Sequence, residues 1–250
     1  MPDIVLHQFR ASHFNDKVRW ALAFKGLKHR RVSYLPGLHS KPMQALSGQR
    51  QTPVLVLDGK AIADTSAIIA ALETAVPMPA LYPSDPALRE KALSIEKRLD
   101  AELGPATRTV AFSVLLDELD FMVRLFGHGE PWLKRFIYRR MVPRAKPMVA
   151  RVNGVNPENI ARSFKAVDET LDWIASETRN RTYLVGDSFS VADLAAAALM
   201  APICELEHPD MCPRPPVPEA MDALYARWRK HPGIAWVKAR YRENRPPDAV

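Results

Sequence analysis

The sequence predicts a small α/β unit followed by a larger all-helical one. Four prolines, Pro77, Pro79, Pro83 and Pro86, fall within ten residues. Proline lacks a donor N–H and restricts the residue before it, so this stretch reads as a stiff linker. Before it, short apolar runs alternate with helical patterns; after it, every apolar pattern has helical spacing. The 250 residues suffice for one large domain or two small ones. The expected division is 1–77, a Pro-rich linker at 78–86, and 87–246.

The elements follow in order. Residues 3–9 form an apolar strand candidate. Residues 15–25 place Val18, Ala21, Leu22 and Lys25 at helical spacing, and Gly26 is a C-terminal stop. A weak strand at 31–35 and a short helix at 41–46 come next. Residues 54–57 and 61–62 flank Asp58-Gly59, a hairpin turn pair. Thr65 opens a further apolar helix through Leu72. The reading is βαβ–αββα. Beyond the linker, Asp85 caps and Pro86 takes the first helical position. Leu88, Ala92, Ile95, Leu99 and Leu103 then form a stripe. Asn156-Pro157 repeats that start signal ahead of Ile160, Phe164, Val167, Leu171 and Ile174. Ser190 and Asp193 have capping-box spacing before the run from Leu194.

Composition narrows the function classes. Hydrophobic residues at 47% and charged residues at 25% are ordinary for a globular protein. The longest uncharged apolar run, 194–204, is too short to span a bilayer, which needs about 20 residues. No basic leader region is visible at the N-terminus. Two cysteines, Cys204 and Cys212, argue against a disulfide scaffold and fit a reducing, cytoplasmic setting. The formal charge of +7 is concentrated between 121 and 151, where Arg124, Lys134, Arg135, Arg139, Arg140, Arg144, Lys146 and Arg151 face only Glu130. On a helical wheel Lys134, Arg135, Arg139 and Arg140 scatter around the axis, so nucleic-acid binding is not expected. A solvated face or an anion-tolerant lid is favoured over membrane-surface contact through 121–151.

Several short strings carry chemistry. Ser12 places a hydroxyl just before the first helix, whose N-terminus stabilises a thiolate; its alternative role is to start the helix. Thr52-Pro53 leads into the hairpin, and a cis bond there exposes the backbone of Thr52 to a ligand. Asp64 and Thr65 open the helix after the hairpin, where free N–H groups attract anions; the alternative is a plain cap. Cys204, His208 and Cys212 have ligand types, but Pro209 and Pro213 break any regular face and a fourth ligand is missing, so no metal is expected. Asp193 is read as structural, His7 as a packed or rim histidine, and the tryptophans as core or pocket walls.

Taken together, these strings resemble the soluble glutathione S-transferase family in its serine-type, bacterial-like form. The matching segments are 12–22 with Lys25-Gly26-Leu27, then Thr52-Pro53-Val54-Leu55, Asp64-Thr65-Ser66-Ala67-Ile68, Leu81-Tyr82-Pro83-Ser84-Asp85-Pro86 and 186–193. No one of them is specific; five in the family's order are.

The resemblance implies a thioredoxin-like N-terminal domain that binds glutathione as cosubstrate and an all-helical domain that completes the second-substrate pocket. It implies a homodimer, and a thiolate that is added to a small apolar electrophile. Ser12 matches the family's catalytic serine or cysteine. Thr52 precedes the matching cis-proline, Pro53, and its backbone pairs with the cysteinyl unit. Asp64 and Thr65 match the pair that holds the γ-glutamyl end, and His39 and Gln51 fall at the glycyl end. There the family's Asn-Pro-x-Gly is replaced by Ser47-Gly48-Gln49-Arg50. The first tyrosine is Tyr34, which excludes the tyrosine-dependent classes. No cysteine precedes Cys204, which argues against disulfide exchange. The alternative is a non-catalytic glutathione-binding carrier or interaction module on the same fold.

Overall fold

The computed structural model describes residues 2–247. Its strands are β1 (Ile4–Gln8), β2 (Arg30–Ser33), β3 (Val54–Leu57) and β4 (Lys60–Ala63). They form one sheet in the order β2-β1-β3-β4, with β1 and β2 parallel and the other pairs antiparallel. Leu55 stands opposite both Leu6 and Ile62, so the register gathers apolar side chains at the centre. Asp58 and Gly59, both at positive φ, make the β3–β4 turn. Helices α1 (His13–Phe24), α2 (Ser40–Ser47) and α3 (Thr65–Ala75) complete this thioredoxin-like unit.

The rest is helical: α4 (Pro86–Ala101), α5 (Leu103–Leu115), α6 (Leu119–Gly127), α7 (Trp132–Val152), α8 (Pro157–Glu177), α9 (Val191–Met200), α10 (Glu219–Trp228) and α11 (Pro232–Asn244), with a single 3-10 turn at Ala201–Ile203. Asp85 and Asn156 cap α4 and α8, and Pro86 and Pro157 sit in their first turns. Helix α9 is buried over its whole length. Asp193 in its first turn accepts from the N–H groups of Leu184 and Ser190 and from the Ser190 hydroxyl, at 2.7–3.0 Å. Burial pushes its carboxyl up to about 6, against the pull of those donors.

Helix α1 lies between the two units. Its apolar residues Val18, Ala21 and Leu22 are fully buried, and so are Asp16, Lys17 and Arg19. A helix buried on all sides must find partners for its polar side chains. Lys17 Nζ meets Glu96 at 2.8 Å and Asp100 at 2.5 Å, both from α4. Trp20 donates to the carbonyl of Asn244 at 2.8 Å. Tyr241 donates to Asp16 at 2.6 Å, and Arg245 lies 3.3 Å from the same carboxylate. The linker is tied down as well: Glu73 accepts from Leu81 N–H at 3.0 Å, and the carbonyl of Leu81 accepts from Val191 at 2.8 Å.

Two expectations about burial need correction. Leu88, assigned to the buried stripe of α4, is 38% exposed, in a first turn whose residues are all exposed. Trp132, assigned to the core or a pocket wall, is 71% exposed at the start of α7. The stripe through Leu103 also crosses a helix break, since α4 ends at Ala101 and α5 begins at Leu103.

Candidate functional site

Ser12 is the N-cap of α1, with extended backbone and no side-chain capping hydrogen bond. Its carbonyl accepts the first helical bond, from Asp16 N–H at 2.8 Å. The hydroxyl is therefore not consumed by the helix that it starts. One turn on, Asn15 donates to the Thr52 hydroxyl at 3.2 Å, which ties the start of α1 to the loop before β3. The Thr52–Pro53 bond in that loop is cis.

Asp64 adopts φ +76° ahead of α3, and its carboxylate accepts from Ser66 and Ala67 N–H at 3.0 Å. The cap and the proposed anion site are thus the same place, with an exposed carboxylate already on two of the helix amides. Thr65 is buried, and its hydroxyl lies 3.4 Å from both Lys17 Nζ and Asp100. Ser66 donates to Glu96 at 3.0 Å and to Asp100 at 2.8 Å. Burial raises the pKa of Glu96, and Lys17 opposes that shift. The other oxygen of Asp100 is buried without a partner.

His39 precedes α2, where it accepts from Gly37 N–H at 3.2 Å and stands edge-on to Phe9 at 4.5 Å. Burial lowers its pKa, and a hydrogen bond with the backbone of Arg50 opposes this, so the ring sits beside the segment that carries Gln51. Gln51 itself is exposed.

An apolar cleft opens between the units, lined by Ala11 and His13, the residues that flank Ser12 in sequence, but not by Ser12 itself. Its walls include Phe112, Phe126, Met211 and Tyr225. The His13 imidazole is buried, and its Nε2 makes a 2.9 Å hydrogen bond with the carbonyl of Gly104. A carbonyl only accepts, so Nε2 carries the proton. Burial, helped by the nearby Arg108 cation, lowers the His13 pKa to about 3. The ring beside Ser12 is neutral at physiological pH.

The sequence of the first part of the chain, residues 6–80, matches the description "Glutathione S-transferase, N-terminal domain", and residues 135–219 match "Glutathione S-transferase, C-terminal domain". The chain belongs to the glutathione S-transferase family. Among curated relatives, maleylacetoacetate isomerase of Rattus norvegicus is 25% identical over 228 residues, covering 89% of this chain and 88% of that protein. Glutathione S-transferase 2 of Saccharomyces cerevisiae is 26% identical over 239 residues, covering 92% and 88%. Among solved structures, a β-etherase from Sphingobium sp. strain SYK-6 superposes with a TM-score of 0.68 at 20% identity, covering 96% of this chain and 95% of that one. That likeness supports the glutathione S-transferase fold.

Two features of this family member take their full form only in the structure. The ligand-type residues that come together are not Cys204, His208 and Cys212 but Asp16, His208 and Asp210, with ligand atoms within 4.8 Å of one another. Their charge is already met. Arg19 lies 3.2 Å from Asp16 and 3.2 Å from Asp210, Arg31 lies 3.1 Å from Asp210, and Arg245 reaches Asp16. Burial favours the neutral Asp16 acid, but Arg245 and Arg19 outweigh it and hold the carboxyl below its usual range. Guanidinium groups thus occupy the oxygens that a cation would need. The second feature is the basic stretch 121–151, which forms α6 and α7. Glu130 within the segment pairs with Lys134, and Asp120 and Asp117 just before it pair with Arg139 and Lys146, so part of its charge is offset. No helix of the structure is long and apolar enough to cross a membrane.

Proposed function

We propose that this chain is a glutathione-dependent transferase or isomerase of the transferase fold, in which Ser12 activates the glutathione thiol as thiolate for addition to an apolar electrophile. The observation that carries this reading is the Ser12 hydroxyl, which makes no cap hydrogen bond at the N-terminus of α1 and belongs to a residue set in sequence between Ala11 and His13, both of which line the apolar cleft. A free thiol has a pKa near 8.5, and about 1.36 kcal/mol of preference for the charged form lowers it by one unit. A hydroxyl donor and the positive end of a helix both favour the thiolate. The thiol proton passes to water, and the sulfur attacks a substrate held in the cleft.

The tripeptide is anchored elsewhere. The backbone of Thr52, next to cis-Pro53, pairs with the cysteinyl unit. The exposed Asp64 carboxylate and the α3 terminus at Thr65 take the γ-glutamyl ammonium and carboxylate, while His39 and Gln51 take the glycyl end. The assembly is a homodimer, and the setting is the cytoplasm.

Ser12→Ala tests the assignment. Glutathione affinity by calorimetry is expected to stay within about threefold, since the anchors are untouched. Turnover should fall about 10–100-fold, as for the loss of one charge-assisted hydrogen bond. Activity should recover toward high pH, where water ionises the thiol unaided. Full activity with an unchanged pH profile would move activation to another donor such as Asn15. Glutathione binding by the parent with no turnover of any electrophile would leave a carrier.

A further inference from the structure

The largely apolar cleft next to the start of α1 holds one cation that no carboxylate among the described residues neutralises. Arg108 projects from α5 into it. Among the described residues no carboxylate lies within ion-pair range of Arg108, and its Nε is buried without a hydrogen-bond partner. Burial lowers its pKa. The neighbouring ring, His13, is neutral and supplies no compensating charge. Other buried cations behave differently: Lys17, Arg19, Lys25 and Arg245 each meet a carboxylate oxygen at 3.3 Å or less. A guanidinium in apolar surroundings is costly unless an anion joins it, and its planar fork matches a carboxylate through two parallel bonds.

A second cleft, which shares Ala11 and Leu125 with the first, reinforces the sign of the field. Arg10, His128 and Arg214 line it. Arg10 lies flat on the backbone of Gly129, where a Cβ would come within 3.1 Å of the guanidinium carbon, and its Nε is also buried without a partner. Burial first, then Arg214, Arg10 and Arg135, lower the pKa of His128. The one acid on this wall, Asp210, is already engaged by Arg19 and Arg31. This adjoining cleft is therefore cationic.

We infer that the second substrate is an apolar molecule bearing a carboxylate, which Arg108 binds while the aryl or alkyl body fills the cleft and Arg10 and Arg214 draw the anion in. This rests on the transferase reading and narrows its electrophile from apolar to amphiphilic and anionic.

The test is calorimetric titration of the full-length protein, saturated with glutathione, with 4-phenylbutyrate and with its methyl ester. The acid is expected to bind at least about tenfold more tightly than the ester, the scale of one charge-assisted pair. Arg108→Gln should remove that preference and leave ester binding unchanged, while Arg108→Lys should keep part of it. Arg214→Gln, in the adjoining cleft, should weaken the acid several-fold and the ester not at all. Equal affinities for acid and ester in the parent protein overturn the proposal, and that comparison stands even if an Arg108 variant does not fold. A loss of glutathione affinity in Arg108→Gln overturns it too, by placing Arg108 in the glutathione site. Titration with glutathione alone separates the two readings. No glutathione binding with the acid preference intact defeats the transferase reading and leaves an anion site; glutathione binding without acid preference defeats this inference alone.

Discussion

Acidification should destabilise this protein through His13, and the size of the effect follows from the site. The imidazole is neutral in the folded chain because burial and Arg108 lower its pKa to about 3. In the unfolded chain it titrates near 6.5. Between those values the unfolded state holds a proton that the folded state refuses, so stability is present above pH 6.5 and is lost as the pH falls. From pH 7 to pH 5, a group shifted this far removes about 2 kcal/mol, at about 1.36 kcal/mol per unit below 6.5. His13→Gln provides the control, because its side-chain amide can donate to the Gly104 carbonyl as the ring does at 2.9 Å, without titrating. The assay is urea unfolding of both proteins at pH 7 and pH 5. All other groups cancel in the difference, including Asp193, whose raised pKa acts with the opposite sign between its usual value and about 6. The parent should lose about 2 kcal/mol more than the variant. Parallel losses, within about 0.5 kcal/mol, would mean that the folded imidazole takes up a proton after all.

Two further predictions concern the contact between the units. Lys17→Met strands the buried Glu96 and the partly buried Asp100 carboxylates and should cost about 3–5 kcal/mol in denaturant unfolding. Adding Glu96→Gln and Asp100→Asn should restore most of that; a single-variant loss under about 1 kcal/mol would show that the carboxylates find other partners or protons. Gly104→Ala would set a Cβ 2.3 Å from the Phe14 ring, an overpacking worth about 1–3 kcal/mol. Phe14→Leu in the same chain should relieve it, and an unchanged Tm for Gly104→Ala alone would show that the ring swings away freely.

Local signals in the sequence located most of the fold. Asp85-Pro86, Asn156-Pro157 and the Ser190–Asp193 spacing all mark helix starts that the structure contains, because capping depends on a few adjacent residues. The cis bond at Thr52–Pro53 and the turn at Asp58-Gly59 are local in the same sense. What sequence could not supply is what distant segments do to one another. Arg108 belongs to no motif and stands in a helix pattern like any surface arginine; only the walls around it make it unusual. Asp16 and Asp210 lie far apart in the chain, so no local spacing could show that they meet beside His208. Trp132 was misplaced because composition favours burial of a large ring, whereas its position on α7 faces outward. The hydroxyl of Thr65 lies 3.4 Å from both Lys17 Nζ and Asp100, contacts that no reading of 64–68 alone could show.

The partners of α1 also bear on how the chain reaches its native state. Asp16 and Lys17 emerge early in synthesis, but Glu96, Asp100, Tyr241 and Arg245, which complete them, are made later, the last two more than 220 residues on. Until then the nascent α/β unit holds a helix whose charged side chains have no complement and whose Trp20 lacks the Asn244 carbonyl. A ribosome-bound chain stopped after the linker should thus remain loosely ordered and protease-sensitive, tightening only once the final helix docks. The linker parts the two units in sequence while α1 binds them to each other, so maturation should run as one cooperative closure.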